Sequence, residues 1–125
     1  MPASFRYIVN DVDQAIDFYT GLLDFKLEMH PAPPFAEISR GDMHIYLSQP
    51  GAGGGGAAMA SGEQPRPGGW NRIHLPVDDL DATVARLRAA GATFRNDIVT
   101  GIGGRQILLE DPSGNLVELF QPIRR

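Results

Sequence analysis

The sequence contains an internal repeat, and this repeat constrains the fold more strongly than any other feature. Residues 9–13 (VNDVD) return as residues 77–81 (VDDLD), and residues 45–50 (IYLSQP) are echoed by residues 117–122 (VELFQP). Two half-domains of similar pattern therefore lie in one short chain. Two small sheets related in this way can each bury one face and leave a cavity between the halves. We expect equivalent positions from both halves to face that cavity and to carry its chemistry.

The size and charge of the chain exclude several classes of protein. Its 125 residues are enough for one domain with a real hydrophobic core. The chain has 11 Lys and Arg against 15 Asp and Glu, without a basic run, so we expect no nucleic-acid partner. It has no cysteine, which excludes disulfides, thiolate nucleophiles and thiolate metal sites. It shows neither a signal-peptide pattern nor an apolar stretch of transmembrane length, so the sequence predicts a cytoplasmic protein with no membrane partner.

Both halves predict the same order of elements, β-α-β-β-β. Asp11 and Asp79 each precede a run of apolar residues at helical spacing, so each is predicted to cap the amino end of a helix. The apolar segments elsewhere are typical of strands. In the first half, strands are predicted over residues 5–9, 25–29, 35–39 and 43–48. In the second half, strands are predicted over residues 73–77, 93–99, 106–110 and 116–121.

We interpret residues 1–125 as a single domain, with module one at residues 4–49 and module two at residues 71–122. Residues 50–70 lie between the modules and include the runs GAGGGG and PRPGG. Glycine and proline at this density cannot pack a core, so the segment is predicted to be a linker with a mobile first part. The alternative is a flap over the cavity.

Several segments carry a resemblance to a known protein family. They are residues 9–25 (VNDVDQAIDFYTGLLDF), residues 77–81 and 87–92, and residues 111–119 (DPSGNLVEL). These segments resemble the vicinal oxygen chelate superfamily, which includes glyoxalase I, extradiol dioxygenases and bleomycin-resistance proteins. The resemblance implies an α+β fold in which two βαβββ modules form curved mixed sheets around a cavity. It does not imply one function, because members of one fold family perform many kinds of chemistry.

Metal-dependent members of this superfamily place one metal ligand on each of four strands, and the resemblance maps those positions to Ser4, Tyr46, Arg72 and Glu118. Glu118 alone is a usual ligand, because serine and tyrosine are poor neutral ligands and arginine is a cation without a lone pair. We therefore expect no metal cofactor. Arg72 is predicted to replace the charge of the metal and to pair with Glu118. The alternative is that both side chains are solvated and unpaired.

Two histidines near these positions leave a second possibility. Strand side chains alternate, so His44 shares a face with Tyr46, and His74 shares one with Arg72. A divalent metal could therefore bind at a displaced site made of His44, His74 and Glu118. The other interpretation is that each histidine is a polar residue of the cavity wall.

Aromatic and polar side chains next to the mapped positions predict a surface that binds a ligand. The residues assigned to it are Tyr46, Trp70, Asn71, Arg72, His74 and Phe120. Trp70 could form an aromatic wall for a flat ligand or could instead pack between the modules. By resemblance to the drug-sequestering members, the leading hypothesis is metal-independent binding of a small organic molecule by a homodimer.

Two enzyme hypotheses stand beside it. The first is a lyase, isomerase or dioxygenase that uses a divalent metal at the displaced site. The second is a metal-free enzyme with Arg72 and Glu118 as its catalytic residues, in which Arg72 stabilises an oxyanion and Glu118 transfers a proton. Tight stoichiometric metal identifies the first hypothesis, and turnover of a substrate without metal identifies the second.

Overall fold

The computed structural model describes residues 3–123, and the chain divides into two compact units, Met1–Gly68 and Gly69–Arg125. The described part of the first unit contains one helix and four strands. Helix α1 spans Val12–Leu22, and the strands are β1 (Ser4–Ile8), β2 (Lys26–Ala32), β3 (Phe35–Arg40) and β4 (Met43–Ser48). The strands follow the order β1-β4-β3-β2, with β1 parallel to β4 and the other neighbours antiparallel.

Alternation along the strands buries one face of this sheet. Ala36 and Ile38 on β3 and Ile45 and Leu47 on β4 are fully buried, because successive side chains of a strand point to opposite faces. Helix α1 packs against β2, β3 and β4. The intervening positions, Tyr46 among them, form the other face of the sheet and are the ones available to a ligand.

The described part of the second unit follows the same plan. Helix α2 spans Leu80–Ala89, and the strands are β5 (Arg72–Pro76), β6 (Thr93–Phe94), β7 (Val99–Thr100), β8 (Gly104–Glu110) and β9 (Leu116–Pro122). Their order is β5-β9-β8-β6, with β7 also paired to β8 and with β5 parallel to β9. The predicted α+β fold of two βαβββ modules is confirmed, and in the second module the strand after the helix is divided in two.

That division corrects the strand predicted over residues 93–99. The backbone N–H of Arg95 donates to the carbonyl of Leu108 at 2.9 Å, and the N–H of Leu108 donates to Oδ1 of the Asn96 side chain at 2.9 Å. A side-chain oxygen thus takes the place of the backbone carbonyl that a continuous strand would present. The chain leaves the ladder there and rejoins it at β7.

The repeated aspartates begin the two helices in the same way. Oδ1 of Asp11 accepts a 3.0 Å hydrogen bond from the backbone N–H of Gln14, and Oδ1 of Asp79 accepts one of 3.0 Å from Ala82. Each aspartate satisfies a backbone donor that has no partner within the first turn. Both predicted caps are confirmed.

The repeated glutamines accept hydrogen bonds from the first residues of the same two helices. Oε1 of Gln49, just after β4, accepts a 3.0 Å hydrogen bond from the backbone N–H of Val12, and Oε1 of Gln121 on β9 accepts one of 2.7 Å from Leu80. Each glutamine ties the first residue of a helix to its own sheet. The internal repeat therefore encodes the junction of helix and sheet in each unit.

Residues 50–70 contain neither helix nor strand, and their first part forms a hydrogen-bonded loop. The backbone N–H of Gly51 donates to the carbonyl of Gly56 at 2.5 Å, and the N–H of Gly56 donates to the carbonyl of Ala52 at 2.8 Å. The loop lies against β1, since the Cβ of any other residue at position 55 would overlap the guanidinium of Arg6. The glycine run therefore has a packing role in the first unit.

Both helices are short, with 11 residues in α1 and 10 in α2. A helix that crosses a bilayer needs about 20 mainly apolar residues. Within residues 3–123, neither helix has the length and apolar character that a membrane crossing requires.

Candidate functional site

A polar cluster in the second unit is built on the parallel pair β5 and β9. Strand alternation places Arg72 and His74 on one face of β5, and the register sets His74 opposite Glu118. The Nε atom of Arg72 donates to Oε1 of Glu118 at 3.0 Å. The Glu118 side chain is 12% exposed and the Arg72 side chain is 32% exposed. The two residues of this unit that were mapped to metal positions therefore bind each other.

His74 contacts the other oxygen of the same carboxylate. Its Nε2 lies 3.6 Å from Oε2 of Glu118, and about half of its side chain is exposed. Its ring centroid lies 4.8 Å from that of Phe120, at an interplanar angle of 41°. Glu118 is thus flanked by a guanidinium at one oxygen and an imidazole at the other, with an aromatic ring beside the imidazole.

Trp70 lies at the surface next to this cluster. Its backbone carbonyl accepts a 3.4 Å hydrogen bond from Nη1 of Arg72, and the residue is 67% exposed. Cζ of Arg95 lies 5.0 Å from the centroid of the indole ring, which is a cation–π distance. Asn71 is exposed between Trp70 and Arg72. Arg95 was not foreseen from the sequence, because its approach to Trp70 depends on the irregular segment after β6.

Tyr46 lies in the first unit, on β4, and has two partners that sequence reasoning missed. Its ring stacks on Phe35, with centroids 5.7 Å apart and an interplanar angle of 24°. Cζ of Arg6 lies 5.3 Å from the centroid of the tyrosine ring. Strand alternation was the available signal, because Arg6 follows Ser4 by two residues on β1 and so shares its face.

His44, also in the first unit, pairs with a carboxylate. Its Nδ1 lies 2.7 Å from Oε2 of Glu37 on the neighbouring strand β3. Ser4, the first residue of β1, lies opposite His44 in the parallel register. Nδ1 of His44 is therefore paired with the carboxylate of Glu37 in the same sheet.

These side chains do not fit the metal centre of the metal-dependent superfamily members. A catalytic divalent ion commonly takes three or more protein ligands, chiefly imidazoles and carboxylates. Within residues 3–123, no three His, Asp or Glu side chains come together in a way that could hold one ion. In the second unit, the guanidinium of Arg72 occupies one oxygen of Glu118, and it has no lone pair to give to a metal.

The family is shown by a match that spans both modules. Residues 2–119 match the family model of the Glyoxalase/Bleomycin resistance protein/Dioxygenase superfamily. The chain belongs to this superfamily. The resemblance carried by the sequence segments is therefore confirmed.

Three proteins illustrate what this superfamily member is similar to. An uncharacterized protein of Shewanella frigidimarina (strain NCIMB 400) is 28% identical over 122 residues, which cover 91% of this chain and 87% of the relative. The crystal structure of TnmS3, an antibiotic binding protein from Streptomyces sp. CB03234, is 27% identical with a TM-score of 0.73 and covers 96% of this chain and 93% of its own. A superfamily member from Sphaerobacter thermophilus DSM 20745 is 25% identical with a TM-score of 0.75, and the match covers 97% of this chain and 96% of the other.

Another ion pair of this superfamily member lies at the start of α2. Nη1 and Nη2 of Arg105 donate to Oδ2 and Oδ1 of Asp81 at 2.9 and 3.0 Å. The hydrogen bond from Arg105 holds the pKa of Asp81 below its ordinary value of 3.8, and the same contact raises the pKa of Arg105. Arg105 thus ties β8 to the first turn of α2.

A smaller polar cluster lies on the first sheet. Oγ of Ser39 donates to Oε2 of Glu28 at 2.7 Å, and Nζ of Lys26 lies 3.6 Å from Oε1 of Glu28. The hydrogen bond from Ser39 lowers the pKa of Glu28 below its ordinary value of 4.5, against the opposing effect of desolvation, and the charge of Lys26 contributes less. Glu28 is therefore held as a carboxylate next to the face that carries His44.

Proposed function

We propose that this superfamily member binds a small organic molecule without a metal ion. The observation that carries the proposal is the 3.0 Å hydrogen bond from Nε of Arg72 to Oε1 of Glu118. It brings a permanent positive charge to the one carboxylate among the four mapped positions. The guanidinium neutralises and orients that carboxylate, which is the electrostatic role that a metal ion plays in the metal-dependent members.

The surroundings of the pair supply the two kinds of contact that small-molecule sites use. Phe120, His74 and the exposed indole of Trp70 offer aromatic surface, while Asn71 and Arg72 offer hydrogen-bond donors. A few polar groups on an otherwise apolar wall are the usual composition of such sites. A flat organic molecule suits this mixture, because it can stack on the rings while its polar atoms meet the donors.

The family comparison supports the same class of function. TnmS3, which is 27% identical and covers 93% of its own length in the match, is an antibiotic binding protein. A protein that this chain resembles along almost its whole length thus binds an antibiotic. We also propose that the protein acts as a homodimer, by resemblance to the drug-sequestering members, and that it is located in the cytoplasm.

The first experiment measures metal and ligand binding on the same preparation. Protein purified without chelator is expected to hold no stoichiometric metal by elemental mass spectrometry. It is expected to bind nickel, zinc, manganese and iron(II) no more tightly than millimolar by calorimetry. A library of small aromatic compounds is expected to give thermal shifts and changes in tryptophan fluorescence. The chain has a single tryptophan, so this fluorescence reports on Trp70 alone.

Two variants and a matched control locate the binding. Arg72→Met and Asn71→Ala should each weaken the binding of a library hit. Asp81→Asn should leave it unchanged, because it breaks a different ion pair of the same unit. One tightly held ion per chain would overturn the metal-independent proposal. A hit whose affinity is the same in all three variants would move the site away from Arg72.

A metal-free enzyme is the second candidate, favoured by the 3.6 Å contact of His74 Nε2 with Glu118. A carboxylate beside an imidazole can transfer a proton, and Arg72 can stabilise a negative charge that develops on a substrate. Incubation of each hit with the protein, followed by mass spectrometry, distinguishes the two functions. Conversion that is lost in Glu118→Gln while binding persists would establish the enzyme, and recovery of every hit unchanged supports binding alone.

A further inference from the structure

The first unit contains a cavity whose lining residues all belong to that unit. Its volume is about 490 Å³, within the range of roughly 300–1,000 Å³ that small-molecule sites occupy. The wall is formed by Arg6, Ala32, Pro34, Phe35, Ser48 and the loop residues 52–55. We propose that this cavity binds a small aromatic carboxylate, with Arg6 holding the carboxylate and Phe35 contacting the ring. The inference goes beyond the proposed function, because it uses neither Arg72 nor Glu118.

Arg6 brings a positive charge that its neighbours do not neutralise. Its Nη1 donates to Oγ of Ser48 at 2.9 Å, and its guanidinium lies over the ring of Tyr46. Both contacts orient the guanidinium without cancelling its charge. In the part of the chain that the structure describes, no Asp or Glu forms an ion pair with Arg6. A guanidinium has five N–H donors, so Arg6 keeps donors for a bidentate contact with a carboxylate.

Apart from Ser48 and the loop, the wall opposite Arg6 is apolar and includes one aromatic ring. Phe35 is stacked on Tyr46, which holds the phenylalanine ring in place. Ala32 and Pro34 continue this apolar surface. A ligand that meets all of these groups needs a flat apolar body and one negative group. Inorganic phosphate would leave the apolar wall uncovered, and an uncharged aromatic molecule would leave the Arg6 donors without an acceptor.

The glycine-rich loop lines the cavity, and its backbone lies close to Arg6 at Gly55. A Cβ atom there would overlap the guanidinium of Arg6 and Oγ of Ser48. The backbone can approach Arg6 this closely because glycine has no side chain. At Gly54 a Cβ atom would meet nothing within 4 Å. Within this run, a side chain at position 55 would overlap Arg6, and one at position 56 would overlap the backbone carbonyl of Gln49.

Calorimetric titration with 2-naphthoate and its neutral isostere 2-naphthamide tests the proposal. The carboxylate is expected to bind about tenfold more tightly than the amide, because the contact with Arg6 is assisted by charge. In Arg6→Gln this preference should disappear. Arg40→Gln is the matched control, since it removes a positive charge from the same sheet at a residue that does not line the cavity, and the preference should persist.

A second pair of variants tests the loop. Gly55→Ala should weaken the binding of 2-naphthoate by displacing either the loop or Arg6, and Gly21→Ala, in α1 and outside the cavity wall, should retain it. Circular dichroism establishes that both variants are folded. Equal binding of naphthoate and naphthamide by the unaltered protein would overturn the proposal, and so would a preference for naphthoate that survives Arg6→Gln.

The proposals for the Arg72 site and for the Arg6 cavity can be tested independently of each other. If the affinity for 2-naphthoate falls in Arg72→Met and is unchanged in Arg6→Gln, the anion binds in the second unit and the Arg6 cavity is not its site. If it falls in Arg6→Gln and is unchanged in Arg72→Met, the Arg6 cavity is the site of the anion, even if the proposed site at Arg72 binds nothing. The metal titrations bear on the second unit and do not enter this comparison.

Discussion

Nε of Arg72 and Oε1 of Glu118 are 3.0 Å apart, and this contact joins the first residue of β5 to the middle of β9. The parallel register sets His74, two residues after Arg72, opposite Glu118. Arg72 lies opposite Leu116 and reaches Glu118 two residues further along β9, whereas His74 lies directly opposite Glu118. Two groups on one face of the sheet contact Glu118, and the energy of the contact with Arg72 can be measured without a ligand.

The first prediction concerns the energy of this pair. Arg72→Met leaves a mostly buried carboxylate without its partner, so it should destabilise the fold by about 1–2 kcal/mol. A double-mutant cycle with Glu118→Gln, measured by urea unfolding, should give a coupling energy of about 1 kcal/mol. The same cycle on the more exposed pair Arg105 and Asp81 should give a smaller coupling. A coupling energy of zero between Arg72 and Glu118 would mean that Arg72 does not offset the desolvation cost of the Glu118 carboxylate.

The second prediction concerns the glutamine that ties β9 to α2. Gln121→Ala removes the acceptor of the Leu80 N–H, so it should lower the free energy of unfolding by about 1 kcal/mol. Gln121→Glu should keep most of the stability, because a carboxylate also accepts this hydrogen bond and suits the positive end of the helix. Thermal and urea unfolding of the two variants provide the comparison. Equal losses in both variants would show that the side chain acts by packing instead.

The third prediction concerns pH. The Ser39 hydroxyl lowers the pKa of Glu28 below 4.5, so the contribution of this contact to stability is present above pH 4.5 and is lost as the pH falls through the lowered pKa. Ser39→Ala should therefore raise the pKa of Glu28. An NMR titration of the Glu28 carboxyl carbon measures this change. The stability difference between the variant and the unaltered protein should be constant near neutral pH and should shrink in acid. A difference that does not depend on pH would assign the effect of Ser39 to packing.

Much of the fold could be predicted from short-range patterns. Asp11 and Asp79 mark the helix starts because capping depends on residues a few positions apart. Strand alternation marks the buried faces for the same reason. The break after Phe94 could not be predicted, because it depends on the contact of Asn96 with Leu108, which lies 12 residues further along the chain.

The candidate site was predicted less completely. Resemblance to the family located Arg72 and Glu118, strand alternation added His74, and the strand register brings these three together. Arg6 and the loop at Gly55 were missed, because their contact joins residues on distant parts of the chain that no local pattern relates. A glycine run has the same composition whether it is an open linker or a wall packed against a guanidinium.

The last prediction concerns Gly104, which begins β8 next to the backbone of Gln121. Its φ is +154°, and a Cβ there would overlap the backbone carbonyl of Gln121. Gly104→Ala should therefore destabilise the fold by about 2–4 kcal/mol, because the obstacle is backbone and cannot rotate away. Gly101→Ala is the matched control in the same turn, where the nearest atom to a Cβ lies 3.9 Å away and φ is not positive. Urea unfolding should show a large loss for position 104 and little change for position 101, and similar losses at both positions would contradict the close approach of β8 to Gln121.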